Sequence, residues 1–239
     1  MTAPVPGIVP TPGSAPVPGT VPVPGIRSRV RHLGEPVALM FGRLGLTPNG
    51  LTLLGFGITV VGAVLAAIGL WLAAGVVVFL GGAFDMFDGA LARATGRASK
   101  VGAFLDSVFD RWGESVAYVG IVVGCLNAGF NLGAGLAAAA MSQAFLVSYT
   151  RARAEGLGFG AGSGMAAVGL APREVRLVIL CLGLLAGGLL GGVQAGPTAT
   201  SDGARALAAA LGLIAILATI TVIQRIIHVT KQAATSDGR

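Results

Sequence analysis

Apolar residues in this chain come in six stretches of about 20 residues, separated by short polar or glycine-rich breaks. About 20 apolar residues in a helix cross a bilayer, and unbroken apolar stretches of that length mark spanning helices rather than strands. The pattern predicts helices over about 51–71, 72–95, 101–126, 132–155, 172–190 and 204–231. Thr47-Pro48-Asn49 is a helix-start signal, and Pro172 suits a first helical position. The polar run GRASK, residues 96–100, turns the second helix into the third. Before the first helix, residues 27–45 are basic and partly apolar, interrupted by Pro36, as suits an amphipathic helix lying on an anionic leaflet. The first 25 residues repeat Pro and Gly and predict an exposed tail, disordered or in polyproline II.

The expected fold is therefore an all-α integral membrane protein with six transmembrane helices preceded by an interfacial helix. Its expected organisation is a tail over 1–26, the interfacial helix over 27–46, the membrane domain over 47–231 and a C-terminal tail over 232–239.

Composition narrows the function classes. With 54% hydrophobic and only 11% charged residues, this is not a soluble domain. The net charge of +6 does not imply nucleic acid, because Lys and Arg flank the membrane segments without interleaved aromatics. Cys125 and Cys181 lie inside apolar helices without metal-ligand spacing and read as buried thiols. No secretory signal is visible at the N-terminus. Trp71 and Trp112 suit membrane-interface anchoring. His32 and His228 have no matched partners.

Charge also sets the expected orientation. Arg27, Arg29, Arg31 and Arg43 precede the first helix. Arg93, Arg97 and Lys100 flank the second turn, and Arg151, Arg153, Arg173 and Arg176 flank the fourth. The opposite turns carry only Arg205. The positive-inside rule then places both termini on the cytoplasmic side of the cell membrane.

Four carboxylates interrupt the apolar pattern near that side: Asp85, Asp88, Asp106 and Asp110. A carboxylate at bilayer depth is costly and marks function. Asp85 and Asp88 are three apart and share a helix face; Asp106 and Asp110 are four apart and share another. A short turn joins the two helices, so antiparallel packing is expected to set the pairs facing each other. Hard oxygen ligands suit Mg²⁺ or Mn²⁺, and two ions can clamp the attacking and leaving oxygens of a phosphoryl transfer. One carboxylate can serve as general base. The alternatives are a buried polar network or an ion pathway, the latter making the chain a cation transporter.

The order Asp85-x2-Asp88-Gly89-x2-Ala92-Arg93-x8-Gly102-x3-Asp106-x3-Asp110 resembles the full signature of the CDP-alcohol phosphotransferases. The resemblance implies a six-helix membrane enzyme, commonly a homodimer, that transfers a phosphoalcohol from a CDP-linked donor to a hydroxyl and releases CMP. It implies Asp85, Asp88 and Asp106 as main metal ligands, with Asp110 as general base also reaching the second metal. Asp88, Gly89, Ala92, Arg93 and Gly102 would line the cytidine diphosphate site, with Pro48, Asn49 and Thr52 of TPNGLT beside the nucleotide.

A second constellation bears on the acceptor. Arg151 and Arg153 end the fourth helix, Arg173 and Arg176 open the fifth, and Arg225 lies in the sixth. Arginine forks bind phosphate bidentately, so their convergence implies an anionic acceptor; plain flanking of the membrane is the alternative, weakest for Arg225 among its apolar neighbours. SYTRARAE, then PREVR, then QRI is similar to the actinobacterial phosphatidylinositol phosphate synthase subfamily, with Arg151, Arg176 and Arg225 at its phosphate-binding positions. The chain departs from that pattern at Arg151, where Lys is frequent, and at Ala171-Pro172, where an acidic residue is frequent. The expected partners are thus CDP-diacylglycerol, inositol phosphate, membrane lipid and a second copy of the chain. Glycerol phosphate or a neutral alcohol are the alternative acceptors. Glu114 continues the Asp106–Asp110 stripe and is expected to orient Arg111 or a ligand, or to form a structural ion pair.

Overall fold

The computed structural model describes residues 39–159, 168–195 and 200–237. The expected tail over 1–26 and most of the interfacial helix lie outside the described residues. The described part is all-α, apart from one isolated bridge between Ala195 and Thr200. Its six long helices are α1 Pro48–Ala67, α2 Trp71–Ala94, α3 Lys100–Asn127, α4 Asn131–Gly156, α5 Arg173–Leu189 and α6 Asp202–Asp237.

Local chemistry explains the boundaries. The Thr47 side chain accepts a hydrogen bond from Gly50 N–H at 3.1 Å, so α1 starts at Pro48, earlier than the apolar pattern suggests. Ser99 caps α3 in the same way on Gly102 N–H at 3.0 Å. At the end of α2, Gly96 takes a positive φ of 65°. Arg97 N–H then returns to Ala92 C=O at 2.9 Å, a closure that only a residue tolerant of left-handed backbone makes cheaply. Pro172 is the N-cap of α5 rather than its first turn. α6 continues past residue 231 because no Gly or Pro stops it before Gly238. Trp71 opens α2 instead of closing α1 and is buried, so it is a core residue; Trp112 is exposed.

The helices close into a ring in the order α1, α2, α5, α6, α4, α3. This corrects the expectation that α2 and α3 pack on each other. They barely touch, and α1 packs against both. Gly120 and Gly124 of α3 sit against the carbonyls of Ala63 and Ala66 in α1, where any Cβ would overlap backbone. The resulting cleft between α2 and α3 positions the site.

The fold is built with small residues inside and large apolar ones outside. Ala74, Ala117, Ala137 and Ala140 are buried, whereas Val61, Phe79, Leu182 and Ile216 each remain more than half exposed. Backbones approach closely through small side chains, and the outer face suits hydrocarbon. Four helices, α1, α2, α4 and α6, are long and apolar enough to cross a membrane. α5 has 17 residues, and α3 carries Lys100, Asp106, Asp110, Arg111 and Glu114 between its start and its midpoint turn. Ahead of α1, a helical turn over 39–43 rests on α2, with the Phe41 ring 5.4 Å from Phe84 and 6.0 Å from Phe87.

Candidate active site

The cleft between α2 and α3 opens as a groove of about 600 Å³. Its wall includes Pro48, Asn49, Thr52, Asp88, Gly89, Ala92, Arg93 and Gly102, every residue assigned to the donor nucleotide from sequence, together with Asp106. Arg97, Ala98, Ser99 and Ala103 also line it and were not singled out. Their signal was position alone: Arg97, Ala98 and Ser99 belong to the polar turn that closes the groove, and Ala103 to the first turn of α3.

Asp88 is buried at the groove floor. Thr52 of α1 donates its hydroxyl to Asp88 Oδ2 at 2.6 Å, and Gly89 N–H donates to Oδ1. A carboxylate with both oxygens fixed has one orientation. Gly89 leaves room for the Arg93 guanidinium, 3.2 Å from where a Cβ would stand.

Asp85 and Asp110 meet a different group. Arg173, from α5, donates to Asp85 Oδ2 and sets its other terminal nitrogen 2.9 Å from Asp110 Oδ1. Arg111 donates to Asp110 Oδ2 at 3.3 Å and to the Ser107 carbonyl at 2.8 Å. Asp106 feels repulsion from Asp85 and attraction from Arg173 and Arg111. Arg173 was weighed with the other arginines in sequence and assigned no role, because its partners lie on helices distant in the chain.

The donor set fits a divalent metal in kind. All four groups are hard oxygen ligands, and Asp110 Oδ1 is buried without a well-aligned hydrogen-bond donor. Among the described residues, no three acidic, His or Cys side chains are yet gathered closely enough to chelate one ion. Arg173 stands between Asp85 and Asp110 instead.

One turn further along α3, Glu114 takes Arg176 bidentately, at 2.9 and 2.8 Å. Arg176 also donates to the Ala171 carbonyl at 2.8 Å and is 1% exposed. Glu114 therefore orients Arg176 rather than Arg111. Arg151 pairs with Glu155 at 2.8 Å on the surface of α4. Arg225 is buried and, among the described residues, donates to two carbonyls, those of Val147 and, at 3.1 Å, Val168. Its electrostatic neighbours are Arg151 and Arg176, which repel it, and Glu155, which attracts it. Thr221 of α6 accepts from Leu170 and Ala171 N–H, each at 3.0 Å, and so ties the segment before α5 to this cluster.

Residues 45–235 match the CDP-alcohol phosphatidyltransferase family. The chain belongs to that family. A CDP-alcohol phosphatidyltransferase is an enzyme, and the carboxylate cleft, which carries the family signature, is its candidate active site. The chain is 34% identical to the archaetidylinositol phosphate synthase of Pyrococcus horikoshii, over 87% of this chain and 96% of that one. Among solved structures it is similar to the phosphatidylinositol phosphate synthase of Mycobacterium tuberculosis with CDP-DAG bound. That likeness has a TM-score of 0.69 and 29% identity, over 83% of this chain and 94% of that one. The same mycobacterial protein in complex with manganese and citrate matches with a TM-score of 0.68 and 28% identity, over 82% and 88%.

Proposed function

We propose that this phosphatidyltransferase moves a phosphatidyl group from CDP-diacylglycerol to a hydroxyl of inositol phosphate, giving phosphatidylinositol phosphate and CMP. The observation that carries the reading is the groove whose wall joins the eight donor-nucleotide residues to Asp106. The Pyrococcus and mycobacterial relatives both carry inositol phosphate in their names and differ in the lipid. The acceptor is their common feature.

The cytidine diphosphate lies along the groove, with Arg93 at its mouth to meet a phosphate and Gly89 and Gly102 allowing close approach. Asp110 takes the proton of the acceptor hydroxyl. The oxygen attacks the β-phosphorus, the bond from that phosphorus to the bridging oxygen breaks, and CMP leaves with the electron pair. Two ions of Mg²⁺ or Mn²⁺, held by Asp85, Asp88, Asp106 and Asp110, supply neutralisation of the diphosphate charge. Arg151, Arg176 and Arg225 receive the acceptor phosphate. Support for that role is the electrostatic proximity of Arg151 and Arg176 to Arg225, and the hydrogen bonds of the buried Arg225, which among the described residues go to carbonyls, with Glu155 as a more distant carboxylate neighbour. Arg176 comes to it already oriented by Glu114.

In the membrane, all six helices cross the bilayer, with α3 and α5 as the short or charge-bearing spans. Both termini and the site face the cytoplasm, and residues 47–231 form the catalytic domain of a homodimer. The test is metal-dependent CMP release from CDP-diacylglycerol by the purified full chain against inositol phosphate, inositol, glycerol phosphate and glycerol. Inositol phosphate is expected to be used best. Equal use of unphosphorylated inositol overturns the acceptor assignment and leaves the reaction class standing.

A further inference from the structure

α3 and α5 are joined by two charged rungs one turn apart. Asp110 meets Arg173, and Glu114 meets Arg176. The second rung is closed, since two hydrogen bonds pair the guanidinium with Glu114 and a third reaches a carbonyl. The first rung is not. Arg173 is shared between Asp85 and Asp110, its nitrogen stands 2.9 Å from Asp110 Oδ1 without hydrogen-bond alignment, and Asp106 draws on the same positive charge. One guanidinium thus serves three carboxylates from two helices that barely touch each other. Their side chains are largely withdrawn from solvent, with Asp85 and Asp110 each 14% exposed. Arg173 and Arg111 set two positive charges against three carboxylates, so the group remains under-neutralised, whereas a divalent ion neutralises more and accepts more oxygen ligands.

We propose that Arg173 is an internal counter-ion that holds Asp85 and Asp110 together before a divalent ion binds, and that the ion displaces it. The proposal rests on the reading of these carboxylates as the metal site. Arg173 is in this view a positioning residue. It keeps α2 and α3 at the separation the site needs while the ion is absent, and it competes with the ion for the same oxygens. A purely structural ion pair makes the opposite prediction, because breaking it disorders the ligands and weakens metal binding.

The experiment uses the full chain in detergent micelles and Mn²⁺ as probe. Free Mn²⁺ is read by electron paramagnetic resonance, and thermal unfolding is followed in EDTA and in Mn²⁺. Arg173→Gln is expected to bind Mn²⁺ roughly ten-fold more tightly than the wild type, to unfold at a lower temperature in EDTA, and to regain that loss in Mn²⁺. Arg153→Gln, an exposed arginine at the same membrane level, serves as control. In the wild type, phenylglyoxal modification of Arg173, read by peptide mass spectrometry, is expected to rise several-fold when Mn²⁺ is added. This arm stands even if the variant fails to fold. Mn²⁺ bound by the wild type with no change at Arg173 overturns the counter-ion role and leaves the metal site intact, as does Mn²⁺ bound equally or more weakly by Arg173→Gln. No Mn²⁺ binding by either chain overturns the metal reading and the proposal together.

Discussion

Thr52 of α1 and Asp88 of α2 are joined by a 2.6 Å hydrogen bond, the hydroxyl donating to the carboxylate at the floor of the groove. This bond links the helix that packs against both walls of the cleft to the carboxylate that holds its floor. Thr52→Val keeps the shape and removes the donor. The loss of one hydrogen bond to a charged group costs about 1.5–3 kcal/mol. Partners that orient metal ligands are worth roughly 10- to 100-fold in metal affinity. The expected outcome is a rise of that order in the Mg²⁺ or Mn²⁺ concentration needed for half-maximal CMP release. An unchanged metal requirement removes Thr52 from the site.

Asp85→Asn, Asp88→Asn and Asp106→Asn are each expected to abolish most CMP release, because each loses a charged oxygen ligand while keeping its volume. Asp110→Asn should do the same by removing the base. Wild-type activity in EDTA, or in two of these variants, excludes the two-metal account.

Arg225→Ala should weaken acceptor use more than donor use. A charge-assisted contact to phosphate is worth about 1.5–3 kcal/mol, or roughly 10- to 150-fold. The loss is expected chiefly in the KM for inositol phosphate if the contact is equally strong in ground and transition states. Steady-state kinetics with each substrate varied in turn will separate the two. Unchanged acceptor KM argues for a neutral acceptor.

Gly120→Val tests the contact that holds the groove open. The added side chain meets the Ala63 carbonyl of α1, and backbone there has little room to move. Overpacking of this kind costs about 1–3 kcal/mol. A lower unfolding temperature in detergent and a raised KM for CDP-diacylglycerol are expected, since α1 supplies Pro48, Asn49 and Thr52 to the groove.

Topology can be checked by single-cysteine labelling in a chain lacking Cys125 and Cys181. Positions 100 and 173 are expected to react from the cytoplasmic side, and positions 192 and 201 from the other. External labelling at position 100 reverses the orientation.

The sequence alone determined whatever depends on spacing within one helix. Asp85 with Asp88, and Asp106 with Asp110, share faces because three- and four-residue offsets return to the same side of a helix. Apolar length and turn glycines set the helices to within a few residues, since caps are local chemistry. The eight residues proposed for the donor nucleotide, which line one groove, were legible because five sit in one ordered motif and three in TPNGLT, and the family signature spans both walls of the cleft. Which helix covers which face was not legible. Helical periodicity says that a face is buried but not by what, so α2 and α3 were expected to pack directly. Glycines facing the carbonyls of Ala63 and Ala66 instead bring α1 against α3, while α2 and α3 stay apart. The same limit hid the ion pairs. Arg173 meets Asp85 across 88 residues of chain, and Arg176 meets Glu114 across 62. An arginine beside a membrane segment reads the same in sequence whether it flanks lipid, binds phosphate or neutralises a distant carboxylate. Only the closing of the helix ring decides among these, because it determines which charge each guanidinium reaches once water has been excluded.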